Sequence, residues 1–177
     1  MTRFAFFLPL LTIALSIVSC SKPEPTPTTA DMVAQTWQMS ELSLKTDTKQ
    51  YTVPPSTGRE AVMTFAPNGV YTYYDGATKK MQTGKWTLSN GDKTLTAVNA
   101  DGTTLVFAVN ALTKTVIELE TAVADMTNRN PTPQEQTNMQ MLGALLLSLD
   151  KQYGGTMDMS KEPTPRTLQL FMKGKAQ

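Results

Sequence analysis

Ala61-Val62-Met63-Thr64-Phe65-Ala66-Pro67-Asn68-Gly69-Val70-Tyr71-Thr72-Tyr73 spells out a β-hairpin. Large side chains alternate with smaller or polar ones on either side of Pro67-Asn68-Gly69, which is the period of a half-buried strand around a turn that tolerates positive φ. The same grammar continues outward in both directions. Strand-like runs occur at Trp37 to Leu44, Ala61 to Phe65, Val70 to Tyr74, Met81 to Leu88, Thr94 to Val98, Thr104 to Val109, Thr115 to Thr121 and Arg166 to Met172. Asn90-Gly91 and Asn99-Ala100-Asp101-Gly102 punctuate them as tight turns. Short connections make consecutive strands antiparallel neighbours, and about eight strands suffice to close a small barrel. The predicted fold class is all-β: an eight-stranded antiparallel meander barrel over residues 34–177.

Before the last strand the period changes. Thr132-Pro133-Gln134-Glu135 reads as a capped helix start with proline in the first turn, and Met139, Leu142, Leu145, Leu146 and Leu149 follow at helical spacing. One helix is expected from about Pro133 to Gln152, ended by Gly154-Gly155. Thr156 to Pro165 then returns the chain to a final strand that pairs with the first and shuts the barrel.

Period two also sorts the side chains. Met63, Phe65, Tyr71, Tyr73, Trp86, Phe107 and Ile117 fall on inward positions, together with Ala61, Leu88, Leu105, Val109 and Leu119. The first seven are the candidate ligand-binding residues of an apolar cup. A barrel of this size leaves room either for one small ligand or for its own side chains, and both readings stay open at this point. If the barrel is filled, the apolar helix face around Leu142, Leu145 and Leu149 becomes the candidate surface for a protein partner.

Composition narrows the chemistry. The chain has 177 residues, 16 basic and 15 acidic side chains, no histidine and one cysteine. There is no imidazole base, no Ser-His pair and no His-ligated metal site, and a lone cysteine forms no internal disulfide. Near-zero net charge and scattered basic residues leave no footprint for nucleic acid. The spacings Met139-Gln140-Met141 and Met157-Asp158-Met159 are those of thioether pairs that select Cu(I); the first pair diverges on a helix, the second can share a face in an extended loop, and methionine is commoner as adaptable core filler. Glu118 and Glu120 share a strand face, where solvated carboxylates are ordinary. A binding protein is expected rather than an enzyme, with no cofactor and no metal.

The N-terminus carries an address. Arg3 precedes an apolar run from Phe4 to Val18, too short to span a bilayer comfortably, so residues 1–19 read as a signal peptide. Ile17-Val18-Ser19-Cys20 resembles the bacterial lipobox, which implies that Cys20 is lipidated and becomes the first residue of the mature chain. Pro23, Pro25 and Pro27 make residues 20–33 a tether. Ser21 resembles the sorting pattern for the outer membrane, facing the periplasm. Trp37, Phe65-Ala66-Pro67-Asn68-Gly69-Val70-Tyr71, Gly84-Lys85-Trp86 and the Asn90-Gly91 hairpin together resemble the lipocalin-like domains of bacterial lipoproteins, over roughly Ala34 to Thr121. The resemblance implies a small barrel that binds a small apolar or amphipathic ligand. The chain departs from lipocalins at Gln35-Thr36, where they carry a glycine two positions before the tryptophan, and in its long methionine-rich helix.

Overall fold

The computed structural model describes residues 26–53, 58–76 and 78–177. The segments read as a signal peptide and the start of a tether, with Cys20 between them, lie outside the described residues. The barrel consists of β1 (Thr36–Thr46), β3 (Val62–Phe65), β4 (Val70–Asp75), β5 (Lys80–Ser89), β6 (Thr94–Val98), β7 (Thr104–Leu112), β8 (Val116–Thr121) and β10 (Thr167–Ala176). Each is antiparallel to the next, and β10 closes the ring by pairing with both β8 and β1, from Trp37 opposite Ala176 to Thr46 opposite Leu168. The eight expected strands and the expected closure are therefore present. Two short strands have no counterpart among the predicted ones. β2 (Gln50–Val53) pairs with the second half of β1, and β9 (Ala124–Asp125) with the start of β10.

Two ladders contain irregularities that decide which side chains reach the interior. In β1 the register shifts between Met39 and Glu41, and in β7 between Val109 and Ala111. An extra residue in a strand reverses which parity points inward. In β1 the inward set is Trp37 and Met39 before the bulge and Leu42, Leu44 and Thr46 after it. In the four-residue connection between β5 and β6, Asn90, Gly91 and Asp92 all have positive φ, 54°, 61° and 64°, the left-handed region that Asn, Gly and Asp tolerate best.

One end of the barrel is shut by α1 (Thr29–Val33). Thr28 and Asp31 form a reciprocal capping box, with the Asp31 amide donating to Thr28 Oγ1 at 3.1 Å and the Thr28 amide to Asp31 Oδ2 at 2.9 Å. Val33 is fully buried, and its carbonyl accepts the indole N–H of Trp37 at 3.0 Å. The helix thus occupies the end of the segment read as tether. Thr28 and Asp31 supplied the signal, hidden in a proline- and threonine-rich run.

At the other end α2 (Pro133–Ser148) packs on β7, β9 and β10. Its capping box is the expected one, Thr132 with Glu135, and Pro133 opens the first turn. Its buried stripe is Asn138 and Leu142, continued by Leu149 just past its end. The expected helix end at Gln152 is corrected to Ser148. Asp150 caps a separate 3-10 turn at Lys151–Tyr153, and the Leu149 carbonyl turns away from the helix to accept the Met157 amide at 2.9 Å.

The returning segment is latched to the barrel. Glu162 forms an ion pair with Lys49 and accepts the Tyr51 hydroxyl at 3.0 Å, while Asp47 Oδ1 accepts the Arg166 amide at 2.9 Å. Lys49 holds the Glu162 carboxyl below its ordinary value of 4.5. A lowered carboxylate pKa contributes stability that is complete above the ordinary value and lost as pH falls through the lowered one. Backbone amide shifts of the non-proline residues from 156 to 166 should therefore stay constant above about pH 5 and move together on acidification toward pH 3. Glu162→Gln should show the acid pattern already at neutral pH.

Candidate functional site

The strand directions bring the ends of β1, β4, β6 and β8 and the starts of β5, β7 and β10 to the same mouth, beside α2. There β1 divides its partners. It pairs with β3 only through Thr36, Trp37 and Gln38, and from Leu42 onward with β2 instead, so that β1 and β3 part. The fork between them holds a cavity of about 230 Å³. Met39 and Leu42 line it from β1, and Ala61, Val62 and Met63 from the other branch. Tyr71 and Tyr73 of β4, Leu105 of β7 and Met172 of β10 complete the apolar wall, while Glu60, Tyr74 and Asn99 supply further contacts. This volume exceeds the ~150 Å³ that accommodates benzene in an engineered core, and lies below the ~300 Å³ at which drug-sized sites begin.

The back wall is rigidly built. Tyr71 lies on Phe65 and on Tyr73 with ring centroids 5.7 and 5.0 Å away, both nearly parallel. Its hydroxyl donates to Asn99 Oδ1. Burial, with smaller contributions from the Tyr73 hydroxyl and the Asp101 charge, pushes the Tyr71 pKa well above its ordinary value, so the phenol stays a neutral donor. The Tyr73 hydroxyl accepts the Ala100 amide at 3.3 Å and keeps its own proton available for donation.

The seven residues read as ligand-binding separate by level. Met63, Tyr71 and Tyr73 border the cavity. Phe65, Trp86, Phe107 and Ile117 lie in the buried core and form no part of the cavity wall. Trp86 sets its edge against Phe65 at 5.7 Å and donates its indole N–H to the Ala66 carbonyl at 2.9 Å. The barrel is filled toward α1 and hollow toward the mouth, so each of the two readings of the interior describes one part. Met39, Leu42, Val62, Tyr74, Asn99, Met172 and Glu60 were missed. For Met39 and Leu42 the signal was the switch of apolar parity along β1. For Asn99 and Glu60 only three-dimensional proximity reveals the role.

The other constellations have occupied partners. Glu118 pairs with Lys173 at 2.6 Å, and Glu120 accepts Asn110 Nδ2 at 2.9 Å. Met157 and Met159 are half-buried against the core, as are Met139 and Met141. Among the described residues no His, Cys, Asp or Glu cluster could hold a metal ion. A second hollow, of about 340 Å³, lies beneath the end of α2 between Leu42, Val53 and Leu149, and its remaining wall includes Ser148, Gly154, Gly155 and Thr156.

Residues 33–119 match the family model of the lipocalin-like domain, from the buried end of α1 through β8. No curated protein and no solved structure matches the chain.

Proposed function

The chain belongs to the lipocalin-like family, a fold that suggests small-ligand binding and is typically non-enzymatic, and from that premise we propose that it binds one small apolar or amphipathic molecule in the forked cavity. The observation that carries the reading is the apolar, aromatic-walled space of about 230 Å³ in the fork between β1 and β3. The same proposal includes a lipid anchor on Cys20 and a position on the periplasmic side of a bacterial outer membrane, supported by the lipobox-like Ile17-Val18-Ser19-Cys20 and the proline-rich stretch after it. Docking of a protein through α2 has less support. Leu142 and Leu149 are buried against the barrel and Leu145 is half-buried, while Leu147 alone of the leucines of α2 is exposed.

Native mass spectrometry of the protein exported by a bacterium tests the reading without a guess at the ligand. A stoichiometric adduct that disappears on denaturation is the expected result, and its mass names the ligand class. Leu105→Trp, which places a larger ring in the cavity, should lose the adduct at a stability cost of about 1–3 kcal/mol. An adduct retained at full occupancy in that variant places the ligand elsewhere.

A further inference from the structure

The cavity wall is chemically one-sided. Among the described residues, those lining it include no lysine, arginine or histidine, and their one carboxylate is Glu60. Glu60 is exposed at the start of the fork and has no ion pair or hydrogen bond among the described residues. Arg59, its neighbour on the same 3-10 turn, and Lys79 and Lys80 of the nearest hairpin are exposed and take no part in the wall. Asp101 lies close enough to Tyr71 to raise that hydroxyl's pKa, which adds negative charge on the far side. The neutral donors at the mouth, the Tyr73 hydroxyl and the Asn99 amide, can serve a hydroxyl or carbonyl, but they cannot neutralise an anion.

The aromatic geometry favours the opposite sign. Phe65, Tyr71 and Tyr73 form a column of near-parallel rings running from the core toward the mouth, and among the described residues no further ring stacks on Tyr73. The terminal ring is half-buried and borders the cavity. An aromatic face carries partial negative charge and attracts a cation that has lost part of its water. A carboxylate in the same place would lose hydration beside Glu60 with no cation to replace it.

Resting on the ligand-binding reading above, we infer that this cavity takes a small organic cation rather than a fatty acid or other amphipathic anion. The ligand is an amine or quaternary ammonium on a compact apolar body. By comparison with the ~150 Å³ cavity that holds benzene, that body has about ten non-hydrogen atoms. The thioethers of Met39, Met63 and Met172 surround the body, and they adapt to rings and branched chains alike.

Three probes of matched shape separate charge from fit: 2-phenylethylamine, 2-phenylethanol and 3-phenylpropanoate. Each is titrated into the full chain at neutral pH and followed by NMR shifts of the Met63 and Leu105 methyl groups. The amine should bind roughly tenfold more tightly than the alcohol, with the carboxylate weakest. Glu60→Gln, at an exposed position, should remove part of the amine's advantage over the alcohol, and the share owed to the Tyr73 ring should remain. Tyr73→Leu should weaken the amine more than the alcohol. Equal affinity for all three, or a preference for the carboxylate, overturns the charge assignment and leaves the binding site standing. Absence of any shift with all three probes, together with a clean apo mass in native mass spectrometry, overturns both.

Discussion

Trp37→Ala should cost about 3–5 kcal/mol of unfolding free energy, the range for a fully buried aromatic truncated to a methyl group. Trp37 has no exposed surface, and it is tied at two levels. It sits opposite Met63 of β3 and Ala176 of β10, and Gly174 leaves room for its Cβ and for the Met39 methyl group. Its indole N–H is the hydrogen-bond partner of the Val33 carbonyl, so the same side chain that fills the floor also fastens α1 across it. Removal leaves a cavity and releases the cap together. Against a total stability of about 5–15 kcal/mol for a domain this is a large fraction, and the melting midpoint should fall by about 10 °C. Trp37→Phe separates the contributions: it retains most of the ring and loses the N–H, so it should cost markedly less than the alanine variant. A change below about 1 kcal/mol for Trp37→Ala would show that α1 and the floor contribute little to the fold.

Much of this architecture was legible because its signals are local. The alternation around Pro67-Asn68-Gly69, the Asn90-Gly91 turn and the Thr132–Glu135 capping box each specify geometry within a few residues, and the structure contains all three. Closure of the ring by β10 on β1 followed from the number of strands and from the helix placed before the last one. What was not legible depends on departures from period two and on long-range contacts. The bulge between Met39 and Glu41 transfers the inward role from odd to even positions, so one parity could not describe both halves of β1. The hollow arises where β1 exchanges β3 for β2, and the polar–apolar alternation of β2 runs over four residues only, too few to mark a strand. Four of the seven candidate ligand residues therefore fell on the filled level of the barrel, since alternation tells inside from outside but gives no height along the axis. Asn99 reads only as the opening of a tight turn and Glu60 carries no motif, and both enter the site only because two separate turns meet at the mouth.

Gly84→Ala should be strongly destabilising, and it tests whether the cavity depends on Tyr71. Gly84 sits opposite Tyr71 in the β4–β5 ladder and faces inward beneath the tyrosine ring. A Cβ there would lie far inside contact distance of both the Tyr71 ring and the Val98 carbonyl oxygen. Val98 is backbone held in the β5–β6 and β6–β7 ladders, so it has little freedom to retreat. The ring is the element that can move, and moving it breaks the Tyr71–Asn99 hydrogen bond and the stack with Phe65 and Tyr73. Overpacking of a well-filled core costs about 1–3 kcal/mol, and the backbone contact puts this site at the upper end or above. A double-mutant cycle divides the two clashes. In a Tyr71→Ala background the penalty of Gly84→Ala should fall by about 1–2 kcal/mol, the part owed to the ring, while the part owed to Val98 remains. Uptake of the proposed ligand should be lost in Gly84→Ala even under conditions where the barrel stays folded, because the displaced ring enters the cavity assigned to it. Additive penalties would mean that the ring does not feel the new methyl group, and retained uptake would detach the cavity from the Tyr71 column.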